Sequence, residues 1–326
     1  MGATPANENV AVAIANWNGK QHIARCLDSV FAQTFPPAQV VVVDNGSTDG
    51  SAELVEERYP NVRLIRRKTN EGVCRGYNLG IADTDSLYIL ILNTDVFLNR
   101  DFLRHAHAVL KSGNDVGSVA AHVLNSESGK DTYRGLFLRP WISVVNDAES
   151  DGPTAAFGGS GSVLLCRRSM LNDIAMDGQI LDEAFFAYLE EVDLAWRAHL
   201  RGWRCLYAPD AIARHVGSAS MEGRVRVIDK PAFFQRHIWK NRYLLLLGNA
   251  SVLELVVLAP WLLLFELFTW PYLLFRLPTR LHVFLLSHVD VFVGLNAVLR
   301  KRRLLASRRV LRDGGMLRWF RFGLRS

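Results

Sequence analysis

Two isolated carboxylates directly follow short apolar runs in the first hundred residues. Asp44 comes after Val40–Val43, and Asp95 ends the turn Asn93-Thr94-Asp95 after a later run. A carboxylate at the end of a buried strand needs a partner, because burying an unpaired charge is costly. Mg²⁺ and Mn²⁺ sites typically combine one or two carboxylates with substrate phosphates. Asp95 is therefore a candidate metal ligand, although capping of the next turn explains a single acid equally well.

Asp44 has a different chemical use, since it can accept hydrogen bonds from a nucleobase or a ribose. The alternative is an Asx-turn that holds the bend at Asn45-Gly46. A third pattern, Asn70-x-Gly72-x-x-x-Gly76-x-Asn78-x-Gly80, is dense in glycine. Glycines at this density let the backbone approach a ligand closely. The spacing differs from G-x-G-x-x-G, so a dinucleotide-binding fold is not favoured.

Acids also cluster in the second half of the chain, at Glu190, Glu191 and Asp193. Helical spacing puts Glu190, Asp193 and Arg197 on one face. Acids in a first helical turn complement the macrodipole, which is the plain structural explanation. Beside an apolar wall, however, a carboxylate acquires a raised pKa and can serve as a general base. Farther along, His215 is either a ligand or a structural histidine near a strand end.

The elements that must position these residues alternate between strands and helices. Strands are predicted at Val10–Ala15, Gln39–Val43, Val62–Ile65 and Leu87–Leu92, with helices between them. Such alternation predicts a mostly parallel sheet with right-handed crossovers. Ligands bind outside the carboxyl ends of strands in these sheets. The polar clusters at Asn16, Asp44 and Asn93 should therefore meet in one crevice.

The C-terminal part of the sequence has a distinct composition. Residues 244–326 hold 12 Lys and Arg against 4 Asp and Glu, in an apolar and aromatic context. A basic excess confined to such a segment favours an anionic membrane surface over nucleic acid as partner. The longest charge-free run, Leu255–Phe265, is shorter than the roughly 20 residues of a spanning helix. We expect helices in the membrane interface, with Arg300–Arg303 and Arg308-Arg309 facing headgroups.

Two alternatives remain for this segment: a buried helical subdomain or oligomer interface, and a re-entrant or spanning hairpin. The oligomeric state is not predicted. The four cysteines are scattered and read as reduced thiols of a cytosolic protein. Met1–Asn9 lacks the pattern of a signal peptide, so a cytoplasmic location is expected, peripheral to the cytoplasmic face of the membrane.

Taken in order, the motifs resemble those of family 2 glycosyltransferases, and most closely the bacterial rhamnosyltransferase-like branch that builds surface polysaccharides. The motifs are Ala13–Gly19, Val43–Asp49, Asn70–Gly80, Leu92–Asp95, Glu190–Asp193 and His215. Each motif alone is weak, whereas the set in this order is specific. The resemblance extends from Val10 to about Ser220.

The resemblance implies a GT-A fold, a nucleotide-diphosphate sugar donor, Mg²⁺ or Mn²⁺, and inversion at the anomeric carbon. Asp44 matches the acid that contacts the base, and Trp17 matches an aromatic residue that flanks it. Asp95 matches the last acid of the D-x-D motif, whose first acid is replaced by Asn93, and His215 matches a histidine near the metal and diphosphate. The predicted donor site is completed by Asn16, Gly72, Asn78 and Thr94.

The catalytic base usually lies in a Glu-Asp pair, and Glu191 occupies the base position here. Glu190 and Asp193 are the alternatives. The predicted fold is thus α/β, with a GT-A domain over residues 1–237 and a helical, membrane-associating segment over 238–326. The predicted enzyme transfers a hexosyl or deoxyhexosyl group to a saccharide or lipid-linked saccharide. A sugar nucleotidyltransferase and a non-catalytic membrane scaffold are the competing interpretations.

Overall fold

Apolar runs of β-branched residues build the first half of the central sheet. The computed structural model describes residues 9–146, 150–216 and 227–323. Strands β1 (Val10–Asn16), β2 (Gln39–Asp44), β3 (Arg63–Arg66) and β4 (Tyr88–Asn93) are parallel and lie in the order β4-β1-β2-β3. They alternate with helices α1 (Ile23–Phe31), α2 (Ser51–Arg58) and α3 (Val73–Ala82). The predicted alternation is confirmed.

The strands differ slightly from their predicted bounds, and the difference matters for the site. Asp44 and Asn93 are the last residues of β2 and β4, whereas the sequence placed them just beyond the strands. Asn16 pairs in register with Asp44, and its neighbour Ala15 pairs with Asn93. The polar ends of three adjacent strands therefore meet at one edge, as the sequence predicts.

The rest of the sheet is mixed. The elements are β5 (Val96–Leu98), α4 (Phe102–Leu110), β6 (Val116–Asn125), β7 (Asp131–Arg134), β8 (Leu136–Leu138), β9 (Val144–Asn146), β10 (Thr154–Ala156), β11 (Val163–Arg167), α5 (Arg168–Ile174), α6 (Glu190–Leu200) and β12 (Arg204–His215). The strand order is β10-β12-β6-β11-β4-β1-β2-β3, with β11 antiparallel to both neighbours and β12 parallel to β6. Strands β8 and β9 pair with each other in a separate two-stranded sheet. Helices cover both faces, which confirms the mostly parallel α/β architecture.

Four further helices follow: α7 (Ala232–Asn249), α8 (Val252–Arg276), α9 (Pro278–Val293) and α10 (Leu295–Arg308). The boundary predicted at residue 237 falls inside α7, so the division into two domains stays a prediction. Side chains of these helices share one apolar core with the sheet. Leu245 and Leu258 belong to the same buried cluster as Ala13 and Trp196.

Helices α8 and α9 expose an apolar surface. Phe268, Phe275, Phe292 and Val293 are each at least 70% exposed. Extended apolar surfaces of this kind mark interaction with membranes or proteins. By length and composition α8 is able to cross a membrane, and α9 with α10 forms a second candidate that is bent by 56°. The proline residues that interrupt the sequence, Pro260 and Pro271, lie within α8 without ending it.

The prediction that the basic residues of this segment face lipid headgroups is wrong for four of them. Lys301 and Arg309 are largely buried and pair with carboxylates of the protein. Arg302 donates hydrogen bonds to the carbonyl oxygens of Leu247 and Ala250, and Arg308 donates to those of Asp173 and Ala175. Lys301 and Arg308 thus attach the C-terminal helices to the preceding chain, whereas Arg302 and Arg309 join these helices to one another.

Candidate active site

The loops after β1 and β2 form one hydrogen-bonded unit. Asn16 is 1% exposed, and its Nδ2 donates to Asp44 Oδ1 at 2.8 Å and to Ser51 Oγ at 2.9 Å. Asp44 Oδ2 accepts from the backbone N–H of Ser47 at 3.2 Å. Asn16 thus orients the Asp44 carboxylate, and the backbone N–H of Asn18 donates to Ser47 Oγ to tie the two loops together.

The loop after β3 is attached to the same unit through Asn45. Its Nδ2 donates to Asn70 Oδ1 at 3.1 Å and to the Gly72 carbonyl at 2.9 Å. Gly46 has a φ of +74° and lies against the backbone of Thr69, where a Cβ would be within 2.9 Å of three atoms. Only glycine fits such an approach. The Asn45-Gly46 bend that the sequence indicated therefore joins loops two and three.

Beside this unit, Trp17 is 49% exposed at the mouth of the crevice. Asn93 is held differently, since its Oδ1 accepts a hydrogen bond from the Tyr77 hydroxyl at 2.5 Å. The Asn93 N–H donates to the Ser162 carbonyl at 2.8 Å. Thr94 lies next to Gly19, where a Cβ would be 3.0 Å from Thr94 Oγ1. Tyr77 is fully buried and was not among the residues that the sequence singled out.

Asp95 and His215 are brought together by antiparallel pairing of β5 with β12. His215 lies opposite Val96, and its Nε2 is 3.1 Å from Asp95 Oδ2. The Asp95 carbonyl accepts from the N–H of Val216 at 3.0 Å. The two predicted metal ligands are 120 residues apart in sequence and adjacent in the structure.

This pair fits a divalent cation in part. A carboxylate oxygen and an imidazole nitrogen both suit a cation of intermediate hardness. Across residues 9–146, 150–216 and 227–323, no group of three or more His, Cys, Asp or Glu could hold a metal ion. Among the described residues two candidate ligands thus lie here, and a cation at this position would need further ones, such as the oxygens of a diphosphate.

Glu190 and Glu191 begin helix α6 beside the loop before β11. A Cβ at Gly161 would lie 3.3 Å from Glu190 Oε1 and 3.4 Å from Glu191 Oε2. Glu190 is buried, and Glu191 keeps partial exposure. Burial raises the pKa of both carboxyls above the usual range, and the charge of Glu191 raises the pKa of Glu190 further. A carboxyl of this kind can exchange a proton near neutral pH.

Two tyrosines, the buried Tyr77 and the partly buried Tyr133, lie near both the glutamates and Asp95. The pKa of Tyr77 is raised by burial and then by the charges of Glu190 and Asp95. The pKa of Tyr133 is likewise raised by burial and by the charges of Glu191 and Asp95. Such coupling requires short separations. Asp95 therefore lies near both tyrosines, with Glu190 near Tyr77 and Glu191 near Tyr133.

Asp193, the third candidate base, is directed elsewhere. It is fully buried, and its carboxylate pairs with Arg197 Nε at 2.8 Å and Lys301 Nζ at 2.5 Å. Asn249 donates a further hydrogen bond at 2.7 Å. Burial alone would raise the pKa of Asp193, but the charges of Lys301 and Arg197 lower it to about 2. A carboxylate so paired is a poor proton acceptor, and its partners indicate a structural role.

Asn78 and Gly72 also make contacts within the protein. The Asn78 amide exchanges two hydrogen bonds with the backbone of Leu181 and donates to Glu183. The structure thus turns Asn78 toward the segment before α6. Gly72 has a φ of +91°, and a Cβ there would meet the Phe186 carbonyl oxygen at 2.7 Å. Both residues position the segment that carries the glutamates.

That segment has a strained backbone. Phe186, Tyr188 and Leu189 have φ values of 65°, 70° and 65° immediately before Glu190. Left-handed conformations cost L-residues roughly 1–2 kcal/mol each, and such strain is concentrated at functional sites. Sequence reasoning missed this turn, because bulky apolar residues give no sign of a positive φ.

Comparisons with known proteins agree with this architecture. A sequence model described as "Glycosyl transferase family 2" matches residues 11–174, half of the chain. An N-acetylglucosaminyl-diphospho-decaprenol L-rhamnosyltransferase from Mycobacterium tuberculosis is 28% identical over 63% of this chain and 75% of its own length. A poly-beta-1,6-N-acetyl-D-glucosamine synthase from Staphylococcus epidermidis is 21% identical, over 63% of this chain and 49% of the synthase.

Among solved structures, a mannosyltransferase from Pyrobaculum calidifontis in complex with GDP-Man and Mn²⁺ has a similar fold. Its TM-score is 0.56 at 17% identity, over 93% of this chain and 80% of that one. The fold and the strand-end crevice define the molecule as a GT-A glycosyltransferase. The sequence match specifies it further, and the chain belongs to glycosyltransferase family 2. This finding opposes the nucleotidyltransferase interpretation.

Proposed function

We propose that this enzyme transfers a hexosyl or deoxyhexosyl group, with inversion, from a nucleotide-diphosphate sugar to a hydroxyl of a saccharide. The observation that carries the proposal is the pair of glutamates that begins α6 beside Gly161, whose pKa values are raised by burial and each of which shares a neighbouring tyrosine with Asp95. One end of the crevice can bind a charged leaving group, and the other can remove a proton. A non-catalytic scaffold would have no need for this pair.

The donor nucleotide occupies the crevice formed by the first three loops. Asp44, fixed by Asn16, accepts hydrogen bonds from the base or ribose. Trp17 is half exposed at the mouth, where its ring can stack on the base. Thr94 lies next to Gly19 beside this pocket and faces the diphosphate end. The tight approach of loops at Gly46 gives this pocket a rigid wall.

Asp95 and His215 would hold a divalent cation, Mg²⁺ or Mn²⁺, together with the diphosphate of the donor. When bound, such a cation supplies positive charge that stabilises the leaving diphosphate. The Mn²⁺ in the related mannosyltransferase structure supports this assignment. Asn93 binds the Tyr77 hydroxyl, so its amide fixes the turn that presents Asp95.

Glu191 acts as the general base in a single displacement. The acceptor hydroxyl oxygen attacks the anomeric carbon, the bond from that carbon to the diphosphate oxygen breaks, and the hydroxyl proton passes to Glu191. Glu191 is favoured over Glu190 because it keeps partial exposure toward the crevice. Glu190 is buried, and its charge raises the pKa of the Tyr77 hydroxyl.

The acceptor is a lipid-linked saccharide in surface-polysaccharide synthesis. Two observations support this: the lipid-linked acceptor in the name of the mycobacterial relative, and the apolar surface of α8 and α9. These helices associate with the membrane at its cytoplasmic face, where nucleotide sugars are available. Residues 1–237 then form the catalytic part, and 238–326 the membrane-associating part.

Substitution of Glu191 by Gln tests the base assignment. The first step is to measure sugar transfer from UDP-, dTDP- and GDP-sugars to an N-acetylglucosaminyl-diphospho-prenol, which identifies the donor that the enzyme uses. With that donor, Glu191→Gln should lower kcat by about 10²–10⁴-fold, the usual contribution of a positioned base. Donor affinity should be unchanged. Glu57→Gln, which alters an exposed acid of helix α2, is the control. Wild-type turnover by Glu191→Gln would refute the assignment.

A further inference from the structure

The left-handed turn before α6 is held from outside by helix α7. Asn241 is fully buried, and its Nδ2 lies 3.0 Å from the carbonyl oxygen of Phe185, 2.8 Å from that of Ala187 and 2.7 Å from that of Tyr188. The preceding residue, Lys240, donates from Nζ to the Ala184 carbonyl at 2.6 Å. Two successive residues of α7 therefore offer donors to four carbonyl groups of residues 184–188, and the two Nδ2 hydrogens of Asn241 are shared among three of them.

These contacts explain how the strained backbone persists. A turn with three positive φ values keeps its shape only if its surroundings fix it. The carbonyl groups of Ala184, Ala187 and Tyr188 meet donors of α7, and that of Phe185 accepts in addition from the Ala187 N–H at 2.8 Å. Leaving a buried carbonyl unsatisfied is costly. Without the Asn241 amide, the segment from Phe185 to Tyr188 would relax and seek other donors. Because α6 begins at Glu190, relaxation would move both glutamates relative to Gly161.

We infer that Asn241 is a positioning residue for the transfer reaction: it fixes the turn that presents Glu190 and Glu191 to the crevice. The inference rests on the proposed role of Glu191 as base. It assigns a function to a residue outside the half of the chain that the family model matches. It also gives helix α7 a direct part in catalysis, since the residue that fixes the base belongs to the C-terminal helices.

The same helix offers a closely matched control. Gln235 is also fully buried, and its Nε2 donates to the carbonyl oxygens of Ile228 at 2.7 Å and Lys230 at 2.8 Å. Within the described ranges, the side-chain oxygens of Gln235 and Asn241 both lack a hydrogen-bond partner. The two amides differ mainly in which backbone they hold. Gln235 holds residues 228–230, and Asn241 holds the turn before the glutamates.

The test compares Asn241→Leu with Gln235→Leu in the full chain, purified in detergent. We expect both variants to lower Tm by similar amounts, because each loses buried hydrogen bonds. Asn241→Leu alone should lower kcat, by about 10–100-fold, since a misplacement near 1 Å can cost about 10²-fold. The donor Kd, measured with the nucleoside diphosphate of the active donor, should not change. The acid limb of the pH–rate profile should shift in Asn241→Leu and stay fixed in Gln235→Leu.

Asn241→Gln keeps the amide donor and should recover part of the lost rate. Wild-type kcat in Asn241→Leu, or an equal kcat loss in both leucine variants, would overturn the inference. The outcomes separate this claim from the base assignment. If Glu191→Gln turns over normally, the base assignment fails whatever Asn241→Leu does. If Glu191→Gln is inactive and Asn241→Leu is fully active, the positioning role alone fails.

Discussion

Replacing Gly72 by alanine should disturb the catalytic segment by direct contact. Gly72 has a φ of +91°, and an added Cβ would lie 2.7 Å from the Phe186 carbonyl oxygen, 2.8 Å from its Cδ2 and 2.9 Å from its Cα. Two of these atoms are backbone, so a change of rotamer cannot relieve the clash. The Phe186 carbonyl oxygen also accepts a hydrogen bond from the Val73 N–H at 2.8 Å. This hydrogen bond must lengthen if the Phe186 backbone moves away from the added methyl group.

The magnitude follows from two contributions. A positive φ costs an L-residue roughly 1–2 kcal/mol, and overpacking of a close contact costs typically about 1–3 kcal/mol. Gly72→Ala should therefore reduce the free energy of unfolding by about 2–5 kcal/mol. Gly202→Ala is the matched control: its φ is +87°, and none of the described residues has a heavy atom within 4 Å of the added Cβ. It should lose only the conformational contribution.

Urea unfolding followed by tryptophan fluorescence, in detergent, measures both variants on one scale. Transfer assays on the folded protein should show a lower kcat for Gly72→Ala, because Phe186 lies only four residues before Glu190, the first residue of α6. Gly202→Ala should retain its kcat. Equal losses of stability in the two variants, together with normal turnover by Gly72→Ala, would show that the contact with Phe186 is not constraining.

Two further predictions concern the acids of α6. Burial raises the pKa of Glu191, and its ionised form is the base. As the pH decreases, kcat/KM should therefore begin to fall near neutrality, at a pH well above the pKa near 4.3 that is usual for glutamate. A profile that stays flat down to pH 5 would contradict this. Lys301→Met removes a buried partner of Asp193 and should lower the free energy of unfolding in urea by up to about 3–5 kcal/mol. Arg300→Met removes an exposed pair with Asp177 and should change it by less than about 1 kcal/mol. Similar losses in both variants would refute the buried-pair argument.

The crevice was predictable because local signals defined it. Each apolar run stopped at a polar cluster, and parallel strands bring such ends together without further information. Asp44 and Asn93 turned out to be the last strand residues, a difference of one position that leaves their direction toward the crevice intact. Asp95 and His215 needed the family resemblance, because no local pattern shows that β12 returns beside β5.

Long-range pairing explains what the sequence did not reveal. Asp193 looked like a candidate base beside two glutamates, and Arg197 at i+4 was the one local sign of pairing. Its second partner, Lys301, comes 108 residues later in a stretch of basic residues that resembles a membrane-binding patch. Charge patterning cannot distinguish a cation that faces headgroups from one that enters a core. The Asn241 contacts were hidden for the same reason.

The C-terminal segment is joined both to strand β8 and internally. Phe320 forms a parallel bridge with Leu138, and the N–H of the next residue, Arg321, donates to the Leu138 carbonyl. Glu254, fully buried, accepts from the N–H groups of Ser251 and Met316. A chimera with the residues beyond 237 of a relative would therefore also need that relative's core residues that pack against them. Substitutions on the two sides of this junction should accumulate as compensating pairs, so that surface attachment and sugar transfer diverge together between relatives.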